Sequence, residues 1–337
     1  MTWRIIHADV LDGLAELADG SVQTVVTSPP YWGLRDYGDP GQLGLEPTPE
    51  EYVARLVDIF REVRRVLRDD GTVWLNLGDS YATQAGKGSN VPQTKWPVHG
   101  YPEEAAHRSA TFPGLKPKDL VGIPWRVAFA LQADGWWLRS DIIWAKPNPM
   151  PESVTDRPTK AHEYVFLLSK SARYFYDADA VREPHRWQVP ELLETNAQAR
   201  QGHRLAQRRA SGDTSAVRTQ PQIGREKGRG KNGNAESEFS APDAGRNLRS
   251  VWNIATEPFS EAHFAVFPKK LVEPCVKAGS RPGDMVLDPF AGSGTTGVVA
   301  LRLGRDLIGI ELNAEYVEMA RRRIENDAPL FNMAWED

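Results

Sequence analysis

The sequence predicts an α/β fold with a mainly parallel sheet, and three observations support this prediction. Short β-branched runs alternate along the chain with stretches whose apolar residues recur at helical spacing. A glycine-rich turn separates one such strand from a helix, and a double-proline turn ends another strand. With 337 residues, 40% hydrophobic and 26% charged, the chain is long enough to fold as one large domain or two ordinary ones.

The individual elements follow from the apolar period and from the turn residues that flank each run. Strands are predicted at residues 3–8, 22–27, 72–77, 138–144, 164–168, 285–288 and 306–311. Helices are predicted at residues 11–17, 50–67, 124–133, 269–278 and 296–303. The helix over 50–67 has the clearest apolar face, and we expect Asp69-Asp70-Gly71 to end it.

Two polar segments interrupt the α/β pattern, and both are predicted to be insertions. The predicted organisation is a core from residues 1–81, 120–184 and 256–328, an inserted loop at 82–119, a second insertion at 185–255 and a tail at 329–337. Residues 182–249 hold thirteen Lys and Arg but eight Asp and Glu, whereas the whole chain carries a charge of −4. A basic segment in an acidic chain indicates contact with a polyanion or, alternatively, a solvated linker.

Several classes of protein are disfavoured by composition. Cys275 is the one cysteine, so an internal disulfide and a cysteine-based zinc cluster are excluded, and no bound metal is expected. No run approaches the roughly 18 apolar residues of a membrane span, and the N-terminus lacks a signal-peptide pattern. We therefore expect an intracellular, cytoplasmic protein without a membrane partner.

The glycine-rich turn predicts a nucleotide-type cofactor. Residues 288–297 read Asp-Pro-Phe-Ala-Gly-Ser-Gly-Thr-Thr-Gly, in which Gly292, Gly294 and Gly297 match GxGxxG, and Glu311 closes the next strand. Such glycines let the backbone approach a ligand, and an acid at the end of the second strand binds ribose hydroxyls. The pattern alone is also typical of NAD sites. A phosphate-binding Walker loop is excluded, because Val298 stands where its lysine is needed.

Asp288, directly before this turn, favours S-adenosylmethionine over NAD. A carboxylate there can receive the ammonium group of a methionine tail, whereas it would repel a pyrophosphate. Simpler interpretations are that Asp288 caps the following helix and that Glu311 is a surface acid at the end of its strand.

The double-proline turn at residues 27–32, Thr-Ser-Pro-Pro-Tyr-Trp, predicts a pocket for an amino group. Consecutive prolines fix the backbone and supply no N–H, so nearby carbonyls stand as acceptors at fixed positions. An aromatic ring directly afterwards could stack on a base, and a base in a duplex must first be flipped out to reach such a pocket. The simpler interpretation is a rigid turn with Tyr31 packed inward.

Together the two turns resemble the catalytic and cofactor motifs of the DNA amino-methyltransferases. Their order, with the catalytic motif first and the cofactor motif last, is similar to the circularly permuted beta group of that family. The resemblance extends to residues 6–9, 70–79, 142–148, 157–164 and 267–271. It implies a Rossmann-like methyltransferase fold that binds S-adenosyl-L-methionine, with helices on both faces of the sheet and an inserted target-recognition region at 185–255.

The resemblance also implies a role for each site residue. The target pocket would comprise Ser28, Pro29, Pro30 and Tyr31, with the serine and the first proline's carbonyl accepting from the amine and the tyrosine stacking. The methionine site would comprise Asp288, Phe290, Gly292, Gly294 and Thr295. Glu311 would take the ribose, Asp9 would lie near the adenine, and Phe267 and Pro268 would close over the methionine end. The candidates for DNA contact are Arg204, Arg208, Arg209, Arg225 and Arg229.

The function implied is site-specific methylation of duplex DNA at the N4 amine of cytosine by direct in-line transfer. Methylation of the adenine N6 amine is the alternative, while an NAD-dependent dehydrogenase and a non-catalytic DNA-binding protein are remoter ones. Ring-carbon methylation would need a cysteine nucleophile, and we interpret Cys275 as a core residue instead. The expected partner is double-stranded DNA, with a cognate restriction endonuclease acting on the same site and a second copy of the chain as further candidates.

Overall fold

A computed structural model describes residues 1–33, 41–82, 115–184, 245–257, 266–327 and 333–334. The five arginines predicted to contact DNA lie outside these ranges. The chain divides into two compact units, residues 1–180 with 249–337 and residues 181–248. In the second unit, the backbones of Glu183 and Arg246 exchange hydrogen bonds of 2.9 and 2.8 Å, and their side chains form an ion pair.

The first unit contains a sheet in which nine strands lie among the described residues. The strands are β1 (Thr2–His7), β2 (Val22–Thr27), β3 (Leu67–Leu77), β4 (Trp137–Ala145), β5 (His162–Ser169), β6 (Val251–Asn253), β7 (Met285–Asp288), β8 (Asp306–Glu311) and β9 (Met333–Ala334). Their order across the sheet is β6-β4-β5-β3-β2-β7-β8-β1-β9. Neighbours pair in parallel except where β5 pairs with β3 and with β4.

The helices form two packed groups. They are α1 (Val10–Ala15), α2 (Pro49–Val66), α3 (Ile123–Ala133), α4 (Lys269–Gly279), α5 (Thr295–Arg302) and α6 (Ala314–Asp327), with a 3₁₀ turn at Asp179–Val181. Helix α2 packs against α1 and α3, while α5 packs against α4 and α6. Strand β2 is buried along all six residues, as expected for a central parallel strand covered on both faces. The predicted α/β fold with a mainly parallel sheet is confirmed.

One predicted boundary is wrong. Helix α2 ends at Val66, and Leu67 is already extended, with φ −75° and ψ 139°. Leu67 is buried and pairs with Val22, so β3 begins there and the Asp-Asp-Gly segment lies inside the strand. The pairing with β2 then shifts register, which accommodates these polar residues as an irregularity at the start of β3.

Two strands, one α-helix and the 3₁₀ turn have no counterpart in the sequence prediction. Strands β6 and β9 have three and two residues, too few to show an alternating pattern. Helix α6 has a narrow buried stripe of Val317, Ala320 and Ile324 within a strongly charged sequence. Its apolar signal is therefore weak, although it covers the glycine-rich turn and α5.

Described residues on either side of the segment 83–114 pair with each other. Ala82 donates to the carbonyl of Asp119 at 2.8 Å, and Lys118 donates back to the carbonyl of Ala82 at 2.8 Å. Tyr81 and Leu120 add an antiparallel bridge. An insertion between β3 and α3 requires its flanking residues to lie close together, and these hydrogen bonds join them.

The strand order places a crevice at the middle of the sheet. From β2 the chain continues to its neighbour β3 on one side, whereas from β7 it continues to β8 on the other side. In open α/β sheets, ligands bind at the carboxyl ends of the strands where the direction of winding reverses. The glycine-rich turn after β7 and the double-proline turn after β2 stand side by side at this point, since β2 and β7 are paired.

Candidate active site

A cavity of about 830 Å³ opens at the carboxyl edge of the sheet. Its walls come from the ends of β1, β2, β3, β4, β7 and β8 and from the start of β5. On one side lie Asp9, Phe267, Phe290, Gly292, Thr295 and Glu311. On the other side lie Ser28, Pro29, Pro30, Tyr31, Asn76, Lys146 and Glu163. The cavity therefore brings together most residues of both motifs.

The glycine-rich turn depends on two close approaches of backbone. Gly294 has φ 77° and caps α5, and a Cβ added there would lie 2.9 Å from the Cβ of Ala320 on α6. A Cβ on Gly297 would lie 2.6 Å from side-chain atoms of Leu307 and Ile324. Neither glycine lies in the cavity wall, so both act by letting α5 and α6 pack beneath the turn.

Several backbone donors of this turn are already used within the chain. Gly292 N donates to Glu311 Oε2 at 2.8 Å, and Phe290 N donates to Asp288 Oδ1 at 3.1 Å. Ala291 N donates to the carbonyl of Ile310 at 2.9 Å. A dinucleotide site instead aims such N–H groups at a pyrophosphate. These three N–H groups are not available to a pyrophosphate, which disfavours the NAD interpretation.

Asp288 lies beneath the cavity rather than in its wall. Only 1% of it is exposed, and it accepts hydrogen bonds from Thr27 Oγ1 at 2.7 Å and Thr296 Oγ1 at 2.6 Å. Burial raises the pKa of its carboxyl to about 6, partly offset by the hydrogen bonds it accepts. The expected direct contact with a methionine ammonium group is not provided by this geometry, because both carboxylate oxygens are engaged with the protein. Through these hydrogen bonds Asp288 links β2, β7 and α5. It is not the cap of α5, because the N-cap residue of that helix is Gly294.

Glu311 and Asp9 both face the cavity. Glu311 accepts from Gly292 N and from Asn313 N at 2.9 Å, and burial raises the pKa of its carboxyl. Asp9 caps α1 by accepting from Leu11 N at 2.9 Å through Oδ1, while its Oδ2 contacts no donor among the described residues. Each carboxylate keeps lone pairs for a ligand hydroxyl or amine. Glu311 is thus a cavity residue and not the surface acid of the simpler interpretation.

The remaining predicted cofactor residues divide into those that line the cavity and those that lie behind its wall. Phe267, Phe290 and Thr295 line the cavity. Pro268 is buried at the N-cap of α4 and supports the wall without forming it. Arg323 on α6 donates to Thr295 Oγ1 at 2.9 Å, which fixes that hydroxyl at the start of α5.

The double-proline turn leaves one carbonyl occupied and one available. Tyr52 donates its hydroxyl to the carbonyl of Pro30 at 2.8 Å. The carbonyl of Pro29 accepts no hydrogen bond from any residue that the structure describes. The Ser28 hydroxyl lies 3.5 Å from the hydroxyl of Tyr31, a weak contact that leaves its lone pairs available. Ser28 and Pro29 both line the cavity, and each has an acceptor available.

Tyr31 is held by polar groups that the sequence did not single out. Its hydroxyl donates to Glu163 Oε2 at 2.7 Å and lies 3.2 Å from Asn76 Oδ1. Burial and the negative charge of Glu163 raise its pKa well above the usual range, so the hydroxyl stays protonated. A Cβ on Gly78 would lie 2.5 Å from the ring. Tyr31 is thus packed against the strand end while still lining the cavity.

Glu163 and Lys146 form an ion pair in the wall, with 15% and 18% of their side chains exposed. The Lys146 ammonium also lies 4.3 Å from the centroid of the Trp144 ring. Asn76 donates to Glu163 Oε2 at 3.2 Å and to the carbonyl of Tyr164 at 3.1 Å. Asn76, Lys146 and Glu163 all lie in segments that carry the family resemblance. The sequence signal that could have identified them is that each is a polar residue at the end of an apolar strand.

Cys275 lies in the core, which confirms its interpretation. It is 1% exposed, and its thiol donates to the carbonyl of Leu271 at 3.3 Å. Burial raises its pKa far above the usual range, so the nucleophilic thiolate is disfavoured. Among the described residues, no helix has the length and hydropathy of a membrane span, and no group of three or more acidic, histidine or cysteine side chains is arranged to hold a metal.

Comparison with known proteins connects this site to a family. The family model described as DNA methylase, N6_N4_Mtase, matches residues 22–322. The type II methyltransferase M.Cfr9I of Citrobacter freundii is 46% identical over 325 residues, covering 96% of this chain and 88% of that protein. M.SmaI of Serratia marcescens is 46% identical over 321 residues, covering 95% and 90%.

Solved structures share the fold. TTHA0409 of Thermus thermophilus, solved in complex with S-adenosyl-L-methionine, has a TM-score of 0.56 at 22% identity and covers all of both chains. PvuII DNA methyltransferase, described as cytosine-N4-specific, has a TM-score of 0.58 at 19% identity, covering 98% of this chain and 92% of its own. The cofactor predicted from the glycine-rich turn, S-adenosyl-L-methionine, is confirmed. The chain belongs to the N6/N4 DNA methylase family and is a type II DNA methyltransferase.

Proposed function

We propose that this DNA methyltransferase modifies the exocyclic N4 amine of cytosine in duplex DNA, after the target base has flipped out of the helix. The observation that carries the proposal is the pair of acceptors at the double-proline turn. Ser28 and Pro29 line the same cavity as the predicted cofactor residues Phe290 and Glu311. The turn therefore fits a group that has two hydrogens to donate, in a cavity shared with the cofactor residues.

An exocyclic amine is a poor nucleophile because its lone pair is delocalised into the ring. Acceptors at Ser28 and Pro29 would bind its two hydrogens and hold the nitrogen towards tetrahedral geometry, which frees the lone pair. S-adenosyl-L-methionine supplies a methyl group bonded to a positively charged sulfur. Positioning and electrostatics then provide most of the rate enhancement. Tyr31 would stack on the base, held in place by Glu163 and Gly78.

The facing wall supports the proposed cofactor roles. Glu311 would accept from the ribose hydroxyls, since two backbone N–H groups already orient its carboxylate. Asp9 has an oxygen available for the adenine amine. Gly292, Thr295 and the two phenylalanines would surround the methionine end. Asp288 would act indirectly, by shaping the turn.

Ser28 supports cytosine as the target base. It stands where the family resemblance places a residue that is commonly serine in N4-cytosine enzymes and aspartate in N6-adenine enzymes. The order of the motifs, with the double-proline turn after β2 and the glycine-rich turn after β7, supports membership of the permuted beta group. A cognate restriction endonuclease is the partner that the type II names of the relatives favour.

The target-recognition region proposed at 185–255 can be tested by deletion. A variant lacking residues 200–235, which removes Arg204, Arg208, Arg209, Arg225 and Arg229, should lose sequence-selective methylation. Its affinity for S-adenosyl-L-methionine should stay within a few-fold, and wild-type binding to duplex DNA should weaken steeply with salt. If the deletion variant still methylates the same motif, recognition lies elsewhere, and residues 82–119 are the next candidate.

The base itself can be identified directly. Methylome sequencing of cells that express the protein gives the motif. Single-turnover transfer of labelled methyl to a duplex with that motif, followed by nucleoside analysis, gives the product. N4-methylcytosine is the expected product. N6-methyladenine would contradict the base assignment, and a duplex that binds without acquiring label would contradict catalysis.

A further inference from the structure

Met150 is the most exposed of the large apolar side chains in the described residues. Fully 82% of it is exposed, whereas Phe129, the next, is 55% exposed. Met150 lies at the rim of the cavity, in the segment Asn148-Pro149-Met150-Pro151 that follows β4 and lines the cavity throughout. Because it lies at a cavity of the active site, this exposed apolar side chain is available to contact a substrate that binds over the cavity.

The backbone that carries Met150 is stiff. Proline follows and precedes it, so the φ angles of Pro149 and Pro151 are fixed and Met150 itself is restricted to extended conformations. Asn148 anchors the segment, because its side chain donates to Thr256 Oγ1 at 3.0 Å and accepts from Thr256 N at 3.1 Å. Two residues before Asn148, Lys146 is held by its ion pair with Glu163. The backbone on which Met150 lies is therefore restrained by the two prolines and by the hydrogen bonds of Asn148.

The family's substrate is DNA, and a base that enters the cavity leaves a gap in the base stack. Apolar side chains, methionine among them, enter duplexes between base steps in proteins that deform DNA. Methionine suits such a gap because it is unbranched and polarisable and adapts to irregular surfaces. We propose that Met150 enters the duplex and fills the space left by the flipped target base. This inference rests on the proposed base flipping and adds a positioning residue to it.

The test compares two duplexes that carry the methylome-determined motif. One is fully paired, and in the other the base opposite the target is replaced by an abasic site. Met150→Ala should lower single-turnover methylation of the paired duplex by about tenfold or more, by analogy with side chains that stack on bases. On the abasic duplex the target base has no partner and flips at low cost, so the variant should be within about threefold of wild type.

Two further variants keep the test specific. Met150→Leu should retain most activity on the paired duplex because it preserves an apolar wedge. Val251→Ala removes another exposed apolar side chain, 52% exposed on β6 and outside the cavity wall, and should leave both rates unchanged. Wild-type activity of Met150→Ala on the paired duplex, or an equal loss on both duplexes, would contradict the proposal that Met150 fills the space left by the flipped base. The product formed by the wild-type protein tests the proposed function separately.

Discussion

The glycine-rich turn after β7 and the double-proline turn after β2 lie next to each other but use their backbones in opposite ways. In the first, the N–H groups of Phe290 and Gly292 bind the chain's own carboxylates, Asp288 and Glu311. In the second, the prolines have no N–H to give, and the Pro29 carbonyl accepts nothing from the described residues. The first turn uses these donors within the chain, whereas the second has a carbonyl, that of Pro29, without a donor among the described residues.

This difference indicates a division of work between the two walls. Where the chain satisfies its own polar groups, the geometry is set before a ligand arrives, which suits a cofactor used in every turnover. Where acceptors stay open, water or a substrate amine can donate to them, which suits a group that binds and leaves in every turnover. Substitutions at and around the double-proline turn should therefore affect methyl transfer. Substitutions around the glycine-rich turn should affect cofactor binding.

Tyr31→Ala should have the largest effect and is the strongest test of this division. Stacking of a base on an aromatic ring contributes about 1–3 kcal/mol, so the single-turnover rate should fall about tenfold to more than a hundredfold. Affinity for S-adenosyl-L-methionine, measured by calorimetry, should barely change. Tyr31→Phe keeps the ring and should lose much less. If Tyr31→Ala weakens cofactor binding as much as transfer, the two walls do not act separately.

Glu311→Gln examines the opposite wall. The amide keeps one of the two acceptor oxygens that bind Gly292 N and Asn313 N, and it loses the charge that strengthens a bond from a ribose hydroxyl. Charge-assisted hydrogen bonds are roughly twice as strong as neutral ones, so cofactor affinity should fall by about tenfold. At saturating S-adenosyl-L-methionine the transfer rate should stay near that of wild type. An unchanged dissociation constant with a slow transfer step would reverse the assignment of this wall.

Glu163→Gln should have an intermediate effect, mainly on stability. It leaves Lys146 without its partner in a wall where only 18% of that side chain is exposed. Removing one member of a largely buried pair is destabilising, here by about 1–3 kcal/mol after allowing for partial solvent access. Adding Lys146→Met should recover part of the loss in urea unfolding. Equal stability of the single and double variants would show that the pair does not act as a unit.

The two motifs could be found from sequence because each is a local pattern. Proline and glycine indicate backbone conformation directly from sequence, here at Pro29 and Pro30 and at Gly292, Gly294 and Gly297. The orientation of Asp288 could not be predicted, since it depends on a hydroxyl from Thr27 on another strand. The part played by Glu163 likewise depends on β5 running antiparallel to β3, which places its first residues beside the ends of the parallel strands.

Cys275→Ala should have the smallest effect, because Cys275 belongs to neither wall. The substitution removes a buried sulfur and leaves a small cavity in α4, so the free energy of unfolding should fall by about 1 kcal/mol. Methyl transfer should stay close to wild type once the folded fraction is accounted for. Circular dichroism during urea unfolding measures the first quantity, and single-turnover transfer with nucleoside analysis measures the second. A 5-methylcytosine product that vanishes in this variant would show that the thiol attacks the base, and the open acceptors at Ser28 and Pro29 would then have no part in the chemistry.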